Sequence, residues 1–401
     1  MTSHTVIEAA STDHVRAAGA PKGTKTPVGR LVGVDLARGL AVFGMFAAHV
    51  GPAPEQGGVT GFLMELAHGR SSALFALLAG FAVVLITGRR APKTGRSGRQ
   101  AVAKVIIRAV ILLALGTALT ATGTPVEVIL AFYGLYFLLV LPLYRLGAGA
   151  LATIAAGTAV VCPQVLYALR PLLADAEPAA PGAPDGLVSL LFTGSYPALT
   201  WIPFVLAGMA VARLDLGAAA VRIRLALAGV TLAVLGYGGS WLALHLVPGA
   251  VDAIGSSGWS PGAAAGSAWW SDTAGFPSGD TGAWLLAASP HSETTLSIVA
   301  NTGVAIAVLA ACLAAMDAFP RLRRLAGPVL AVGSMSLTAY VFHIVGIRLL
   351  GIEELPGAPL HVLLGFIVSV TVFAAVWSRL FARGPLEWLM SKATSLARHV
   401  R

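Results

Sequence analysis

The sequence predicts an all-α fold, a polytopic integral membrane bundle of about ten transmembrane helices with both termini in the cytoplasm. Of its 401 residues, 56% are hydrophobic and only 11% are charged, and the mean hydropathy of +0.80 excludes an ordinary soluble domain. Apolar runs recur along the whole chain, and a helix of roughly 20 such residues crosses a hydrocarbon core of about 30 Å. Because the runs are continuous and do not alternate, they favour helices over a β-barrel.

Ten apolar runs are candidate spans. Each contains few charged residues, as expected where a charge at the centre of the bilayer is costly. Only a short turn separates the third run from the fourth. The runs are 32–50, 71–88, 105–122, 127–144, 147–167, 196–213, 224–246, 295–316, 328–350 and 359–381.

Basic residues are distributed unequally between the two sides of the predicted membrane. With the N-terminus inside, the cytoplasmic segments contain most of the Lys and Arg residues, whereas only Arg70, Arg170 and Arg348 fall outside. This asymmetry follows the positive-inside rule and predicts a multi-pass protein of the plasma (inner) membrane. The net charge of +9 is therefore a topology signal, with membrane lipids rather than nucleic acid as partners.

The hydropathy also divides the chain into segments. Residues 1–28 are predicted to be a disordered cytoplasmic tail, 29–385 the transmembrane domain, and 386–401 a basic cytoplasmic tail. Two long outer loops, 168–195 and 247–293, interrupt the domain. The second loop suits either sugar recognition or an aromatic cluster at headgroup level. Its tryptophans are Trp259, Trp269, Trp270 and Trp284.

The first span, VDLARGLAVFGMFAAHV, carries three ionisable residues on one stripe. Asp35, Arg38 and His49 share a helix face, and the rise of the helix separates Asp35 from His49 by about 21 Å. Asp35 and Arg38 can pair, which lowers the cost of placing both in the membrane. The alternative is that this pair only anchors the cytoplasmic end of the helix.

The second segment, MELAHGRSSALFALLAGF, places Glu65, His68, Arg70 and Ser71 just before an apolar run. Because the loop after the first span is short, His68 lies on the same outer side as His49. Two imidazoles with a carboxylate and a guanidinium can form a general-base site with an orienting partner. Alternatively, these polar residues contact lipid headgroups.

The third segment, GSMSLTAYVFHIVGIRLLG, carries Ser336, Tyr340 and His343 at positions i, i+4 and i+7 of one helix face. Such a row in a membrane helix usually faces the bundle interior or a water-filled cavity. Hydrogen bonds between helices would explain the same pattern. Other polar residues are weaker signals. Glu127 and Tyr133 begin the fourth span, and Tyr196 begins the sixth. Three histidines at predicted outer ends have no motif and are interpreted as interface residues, namely His245, His291 and His361.

A strongly basic cytoplasmic loop, RRAPKTGRSGRQAVAK, covers residues 89–104. Its charges follow from topology, and they could also receive the phosphates of a nucleotide or coenzyme. The loop contains neither a Walker motif nor a GxGxxG motif. The two cysteines, Cys162 and Cys312, each lie in an apolar run, so neither a disulfide nor a metal site is expected.

Three stretches resemble one family. RLVGVDLARGLAVFGMFAAHVG resembles the V-D-x-x-R-G-x-A opening of the heparan-alpha-glucosaminide N-acetyltransferase family and its bacterial YeiB-like relatives. HGRSSALFALLAGF is similar to the F-x-x-L-x-G second helix of the YeiB-like branch. GSMSLTAYVFH is similar to the M-[SP]-L-T-x-Y-x-x-H segment of that branch. The three motifs lie in order in the first, second and ninth spans.

The resemblance implies a membrane acyltransferase. Acetyl-CoA from the cytosol would be the acyl donor, and an amine or hydroxyl of an extracytoplasmic sugar or envelope component would be the acceptor. No metal is implied, and a second copy of the chain is a further candidate partner. His49 aligns with a functional asparagine of the animal enzyme, whereas His68 lies in the loop that corresponds to that enzyme's catalytic histidine.

The chemistry of such an acyl transfer suggests roles for the other candidate residues. His49 or His68 would be the base, with His343 as a further catalytic histidine. Arg70, Ser71 or Tyr340 would contact the oxyanion or the acceptor. The residues expected along the donor route are Asp35, Arg38, Ser71, Ser336 and Tyr340. The residues expected to hold the coenzyme phosphates are Arg89, Arg90, Arg96 and Arg99.

Two other classes of protein fit the same residues. A transporter or export component would use the intramembrane Asp, Arg and His without acyl transfer, although the sequence contains no inverted repeat. A membrane scaffold would leave the polar residues pointing in unrelated directions. The enzyme hypothesis expects one cavity to collect them, namely Asp35, His49, His68, Tyr340 and His343.

Overall fold

A computed structural model of the chain describes residues 31–173, 186–257, 265–271, 273, 281–353 and 355–400. Every regular element in these ranges is helical, which confirms the all-α membrane bundle. The predicted tail at 1–28, parts of both outer loops and Trp259 lie outside the described residues.

Fifteen α-helices make up the described chain. The longest ones correspond to the predicted spans, and short ones connect them. They are α1 (Val32–Val50), α2 (Gly58–Ala67), α3 (Arg70–Thr87), α4 (Gly95–Thr120), α5 (Ile129–Val140), α6 (Ala148–Leu173), α7 (Ala198–Ala212), α8 (Ala219–Leu246), α9 (Ala250–Ser257), α10 (Thr295–Ala318), α11 (Pro320–Leu325), α12 (Gly327–Ser334), α13 (Ser336–Leu350), α14 (Leu360–Leu380) and α15 (Pro385–Thr394).

The described residues contain seven helical segments that are long and apolar enough to span a membrane, and the bent pair α12 and α13 makes eight. The two remaining predicted spans, 127–144 and 196–213, are shorter apolar helices. The second of these, α7, has only 15 residues, nearly all of them buried. It packs against α3, α5, α6 and α10, so protein rather than lipid surrounds it.

The ninth predicted span is broken. The sequence predicts one continuous helix over 328–350, and this is wrong, because α12 and α13 meet at 85°. At the break, Gly333 packs so closely on α1 that an added Cβ would lie 1.8 Å from the carbonyl oxygen of Asp35. The backbone N–H groups of Leu337 and Thr338, freed by the break, donate to Glu387 Oε1 at 2.8 and 3.1 Å.

Glu387 belongs to α15, within the segment 386–401 that the sequence describes as a basic tail. Its second oxygen, Oε2, accepts the Thr338 hydroxyl at 2.6 Å. A carboxylate at the first turn of α13 satisfies N–H groups that have no partner within the helix, and it complements the helix dipole. The C-terminal segment therefore stabilises the break in the ninth span.

The basic loop is shorter than predicted. Residues 95–104 form the first turns of α4, so the predicted extent of 89–104 is wrong for its second half. The side-chain amide of Gln100 donates to the carbonyls of Arg398 and Val400 at 3.2 Å each. These contacts with the end of the chain help to hold the amphipathic start of α4 in a helix, beyond its apolar part.

Helices α3 and α7 cross at the centre of the bundle through two glycines. An added Cβ would lie 1.9 Å from the Val205 carbonyl oxygen at Gly80, and 1.8 Å from the Leu77 carbonyl oxygen at Gly208. Small residues of this kind let membrane helices approach backbone to backbone. The close crossing fixes α3, whose first turn begins beside the candidate site.

Candidate active site

The first candidate site is a cavity of about 510 Å³ at the His49 end of α1, here called the histidine cavity. Its wall combines the end of α1, the turn before α3, and the loops before α7 and α10. A π-helical turn, Ser189–Thr193, completes one side. The ionisable and polar lining residues are His49, His68, Ser72, Glu127, Arg170, Thr193, Ser195, Tyr196, His291 and Glu293.

His49, which lines this cavity, forms a pair with His343. His49 Nδ1 lies 2.9 Å from His343 Nε2, and the two rings stack with an interplanar angle of 14°. His343 is fully buried, whereas His49 lines the cavity. When His49 donates through Nδ1, its Nε2 lone pair remains available to take a proton from a substrate. The pair can therefore act as a base with an orienting partner.

His68 reaches the same cavity from the turn between α2 and α3. The following residue, Gly69, has φ +64°, a left-handed conformation that glycine adopts without a steric penalty. An added Cβ at Gly69 would also lie 2.8 Å from the Pro290 side chain. The turn therefore packs against the loop that carries His291 and places His68 beside it. His49 and His68, both predicted on the outer side, line one cavity.

Arg70 and Ser71 lie outside the lining of this cavity. The Arg70 guanidinium donates to the carbonyls of Glu65 at 2.7 Å and Trp270 at 2.5 Å. It also lies over the ring of Tyr237, at 5.2 Å. Arg70 thus ties the α2–α3 turn to the outer loop, while the Ser71 hydroxyl packs against Gly44 of α1.

A second cavity of about 190 Å³, here called the arginine cavity, lies toward the other end of α1. Arg38 lines it, and Arg38 Nη1 pairs with Asp35 Oδ1 at 3.6 Å, as the sequence predicts. Ser336 and Tyr340 line it as well. The remaining polar and aromatic lining residues are Phe75, Arg108, Tyr133, Phe137, Ser334 and Glu387.

Arg108 and Glu387 were not among the predicted site residues. Arg108 is an ionisable residue within a predicted span, which is itself a signal of function in a membrane protein. For Glu387 the sequence gives no comparable signal of function, because this residue lies in a segment that is predicted to be a polar tail. Only the packing of α15 against α13 and α4 brings it to the arginine cavity.

Three rings in contact connect the two cavities. Tyr340 lines the arginine cavity, and its ring lies 4.9 Å from that of His343, edge to face. His343 in turn contacts His49, which lines the histidine cavity. The Tyr340 hydroxyl oxygen accepts the Ile129 N–H at 3.2 Å, which fixes the phenol in place.

The expectation of a single shared cavity is therefore wrong. Asp35 and Tyr340 belong to the arginine side, His49 and His68 to the histidine side, and His343 lies between them. The reason is the break at Met335, which directs α13 across the end of α12 instead of along one continuous axis. The candidate residues still form one connected group.

The four predicted phosphate-binding arginines divide into two pairs. Arg96 and Arg99 are exposed on the first turns of α4. Arg90 forms an ion pair with Asp215. Burial and the neighbouring charge of Arg90 lower the pKa of the Arg89 guanidinium. Arg96 and Arg99 thus lie where an anionic ligand can reach them, whereas Arg89 is partly buried.

The described tryptophans of the second outer loop build the loop itself. Trp284 is fully buried in a small core with Leu244 and Ile254, and its Nε1 donates to Ser257 Oγ at 3.1 Å. Trp269 and Trp270 pack on each other at 5.9 Å. Apart from histidines, the aromatic residues that line the histidine cavity are Phe192 and Tyr196, the latter at the start of the sixth predicted span.

Glu127, at the start of the fourth predicted span, and His291, interpreted as an interface residue, likewise line the histidine cavity. Neither lies in a motif, and loops from distant parts of the chain bring them together. Among the described residues, no three His, Cys, Asp or Glu side chains are placed to hold a metal ion.

Comparison with known families gives two matches. A model described as heparan-alpha-glucosaminide N-acetyltransferase, catalytic, matches residues 30–240, more than half of the chain. A model described as a protein of unknown function, DUF418, matches residues 268–397. No match to a curated protein was found. The first match contains His49 and the second contains His343, so the histidine pair joins the two matched regions.

Proposed function

The chain belongs to the heparan-alpha-glucosaminide N-acetyltransferase catalytic family, a family of membrane acetyltransferases that use acetyl-CoA, and on this premise we propose its reaction. It transfers the acetyl group of cytosolic acetyl-CoA to an amine of an extracytoplasmic sugar at the plasma membrane. The observation that supports this best is the His49–His343 pair, which stands between two cavities.

The arginine cavity suits the donor. It lies at the end of α1 that the charge distribution assigns to the cytoplasm, and two guanidinium groups, Arg38 and Arg108, line it together with the Glu387 carboxylate. Its volume of about 190 Å³ fits the thin pantetheine arm rather than the nucleotide. Arg96 and Arg99 precede Arg108 on the same helix by about 14 to 18 Å, where they can hold the phosphates outside the cavity.

The histidine cavity suits the acceptor. A volume of about 510 Å³ is within the range of small-molecule sites. Its wall offers the Tyr196 ring for a sugar face, and carboxylates and imidazoles for hydroxyl and amine groups. The two substrates would thus approach the histidine pair from opposite sides of the membrane.

The chemistry follows from this arrangement. The acceptor nitrogen attacks the thioester carbonyl, so that the C–N bond forms and the C–S bond breaks. His49 takes a proton from the nitrogen through Nε2 and returns it to the leaving thiolate, while His343 accepts from His49 Nδ1 and holds the ring. The Tyr340 hydroxyl, which accepts from Ile129 N–H, keeps its own proton to donate to the oxyanion.

The test is an assay of the purified protein with radiolabelled acetyl-CoA and glucosamine. His49→Ala should lower the rate of acetyl transfer by about 10²- to 10⁴-fold, the usual range for a general base. The matched control is His245→Ala, since His245 is exposed and outside both cavities. A His49→Ala protein as active as the wild type would refute the assignment.

The same preparation also discriminates the transporter hypothesis. Reconstituted vesicles should show no amino-sugar flux in the absence of acetyl-CoA. Flux without a donor, together with no acetylated product, would favour a carrier over an acetyltransferase.

A further inference from the structure

Glu293 is a carboxylate of the histidine cavity that the reaction described so far does not use. It lies just before α10, and helix α7 holds both of its oxygens. Oε1 accepts from Trp201 Nε1 at 2.9 Å, and Oε2 accepts from the Thr200 hydroxyl. Glu293 lines the same cavity as His49. A carboxylate fixed at both oxygens has a defined position relative to a bound acceptor.

The backbone around this carboxylate is unusual. Within the described residues, His291 and Glu293 are the only non-glycine residues with positive φ, at 55° and 58°. This conformation is sparsely populated for side-chain-bearing residues and persists only where the surroundings enforce it. The His291 ring packs on Tyr196 and Trp201 at 5.3 and 5.9 Å. The strained turn thus presents two ionisable side chains to the cavity wall.

The environment also sets the acidity of Glu293. Burial raises the pKa of this carboxyl to about 7. The hydrogen bonds from Thr200 and Trp201, and the charge of Arg170, act in the opposite direction. The group can therefore take and release a proton near neutral pH, as a catalytic base requires.

A count of protons shows why a second base is needed. An amine acceptor enters as an ammonium ion with three N–H bonds, and the amide product keeps one. Two protons must leave the nitrogen, and one of them goes to the thiolate sulfur. The His49–His343 pair carries that proton to sulfur, so the other must leave through a different group.

We propose that Glu293 is this second base. It binds the ammonium group of the acceptor and takes the first proton before the attack, so that one N–H bond breaks and one O–H bond forms. His49 takes the second proton as the C–N bond forms and gives it to the thiolate as the C–S bond breaks. Glu293 then releases its proton to water. This inference rests on the proposed acetyl transfer to an amine.

A structural role for Glu293 makes a different prediction. Thr200 and Trp201 lie in the first turn of α7, so the carboxylate could serve only to join α7 to α10. Its removal would then lower stability or activity by the same factor at every pH. If Glu293 is instead a base, the factor by which its removal lowers activity depends on pH.

The test compares Glu293→Gln with the wild type from pH 5.5 to 9, using radiolabelled acetyl-CoA and glucosamine. The ratio of wild-type to variant rate should rise about 30-fold between pH 5.5 and 8.5, because a carboxyl with a pKa near 7 ionises over this range. Effects of pH on His49 or on the acceptor itself cancel in the ratio. Glu353→Gln is the matched control, an exposed carboxylate outside both cavities, and its ratio should not depend on pH.

A second variant keeps the proposal testable if Glu293→Gln does not fold. Thr200→Val removes a hydrogen-bond donor to the anionic carboxylate, so the rise in rate should move to higher pH. If the wild type is active, two results would overturn the role of Glu293 alone. One is a ratio of wild-type to Glu293→Gln rate that does not change with pH, and the other is a Thr200→Val rate that rises at the same pH as the wild-type rate. A wild type that transfers no acetyl at any pH would instead overturn the proposed function.

Discussion

The histidine and arginine cavities differ in how the fold builds them. The histidine cavity is wide, and its ionisable residues come largely from loops and helix ends, such as His68 and Glu293. The arginine cavity has less than half the volume, about 190 against 510 Å³, and its walls are mostly helical side chains such as Arg108 and Tyr340.

This difference suits two kinds of substrate. Side chains on packed helices are held more firmly than side chains on loops, so a narrow helical cavity fits one invariant donor. A loop-built cavity can change its lining without disturbing the bundle. If the histidine cavity binds the acceptor as proposed, the acceptor side is the part of the molecule in which specificity is free to vary.

Among the changes that test this comparison, the largest expected effect comes from His343, the group that joins the two cavities. His343→Phe fills the same space between Phe46 and Tyr340 but offers no acceptor to His49 Nδ1. We expect kcat to fall roughly 10²- to 10³-fold with both KM values unchanged, because the base loses its orienting partner. Steady-state kinetics measure this. Phe46→Leu alters packing on the same ring and should lower kcat far less. If both variants lowered kcat equally, His343 would act on His49 only as a packing contact.

A smaller effect should separate the two cavities by substrate. Arg108→Gln should raise KM for acetyl-CoA about tenfold, because it removes one charge-assisted contact, and leave KM for glucosamine unchanged. Arg348→Gln is the matched control, since Arg348 is exposed and contacts the Thr122 carbonyl instead. A rise in both KM values in Arg108→Gln would contradict the division into donor and acceptor sides.

The smallest effect on the reaction is expected from Glu387, whose change should alter stability and not the transfer step. Glu387→Gln loses an acceptor for Thr338 and weakens the cap on α13, at a cost of about 1 to 3 kcal/mol in unfolding free energy. Thermal unfolding in detergent should show a lower midpoint. Glu353→Gln, at an exposed carboxylate, should unfold like the wild type. An unchanged midpoint in Glu387→Gln would show that the break at Met335 needs no cap.

Much of the candidate site could be predicted from single segments of sequence. His49 and His68 line one cavity because a short connection returns the chain to the same side of the bundle. Arg38 and Tyr340 were expected on the donor route and line the arginine cavity. Glu293 and Glu387 were missed, because a carboxylate in a loop or a tail resembles any other solvated residue until its partners are known.

By itself, the sequence determined the helical class and the bounds of helices such as α1, which begins and ends at the predicted residues. Hydropathy and the pairing of Asp35 with Arg38 are local properties, set by neighbours within a few turns. Only the tertiary structure decided the break at Met335 and the contact of His49 with His343. Thr338 and Glu387, which meet at the break, are 49 residues apart in sequence, and His49 and His343 are 294 apart. The spacing of residues within one segment carries no information on such distant packing.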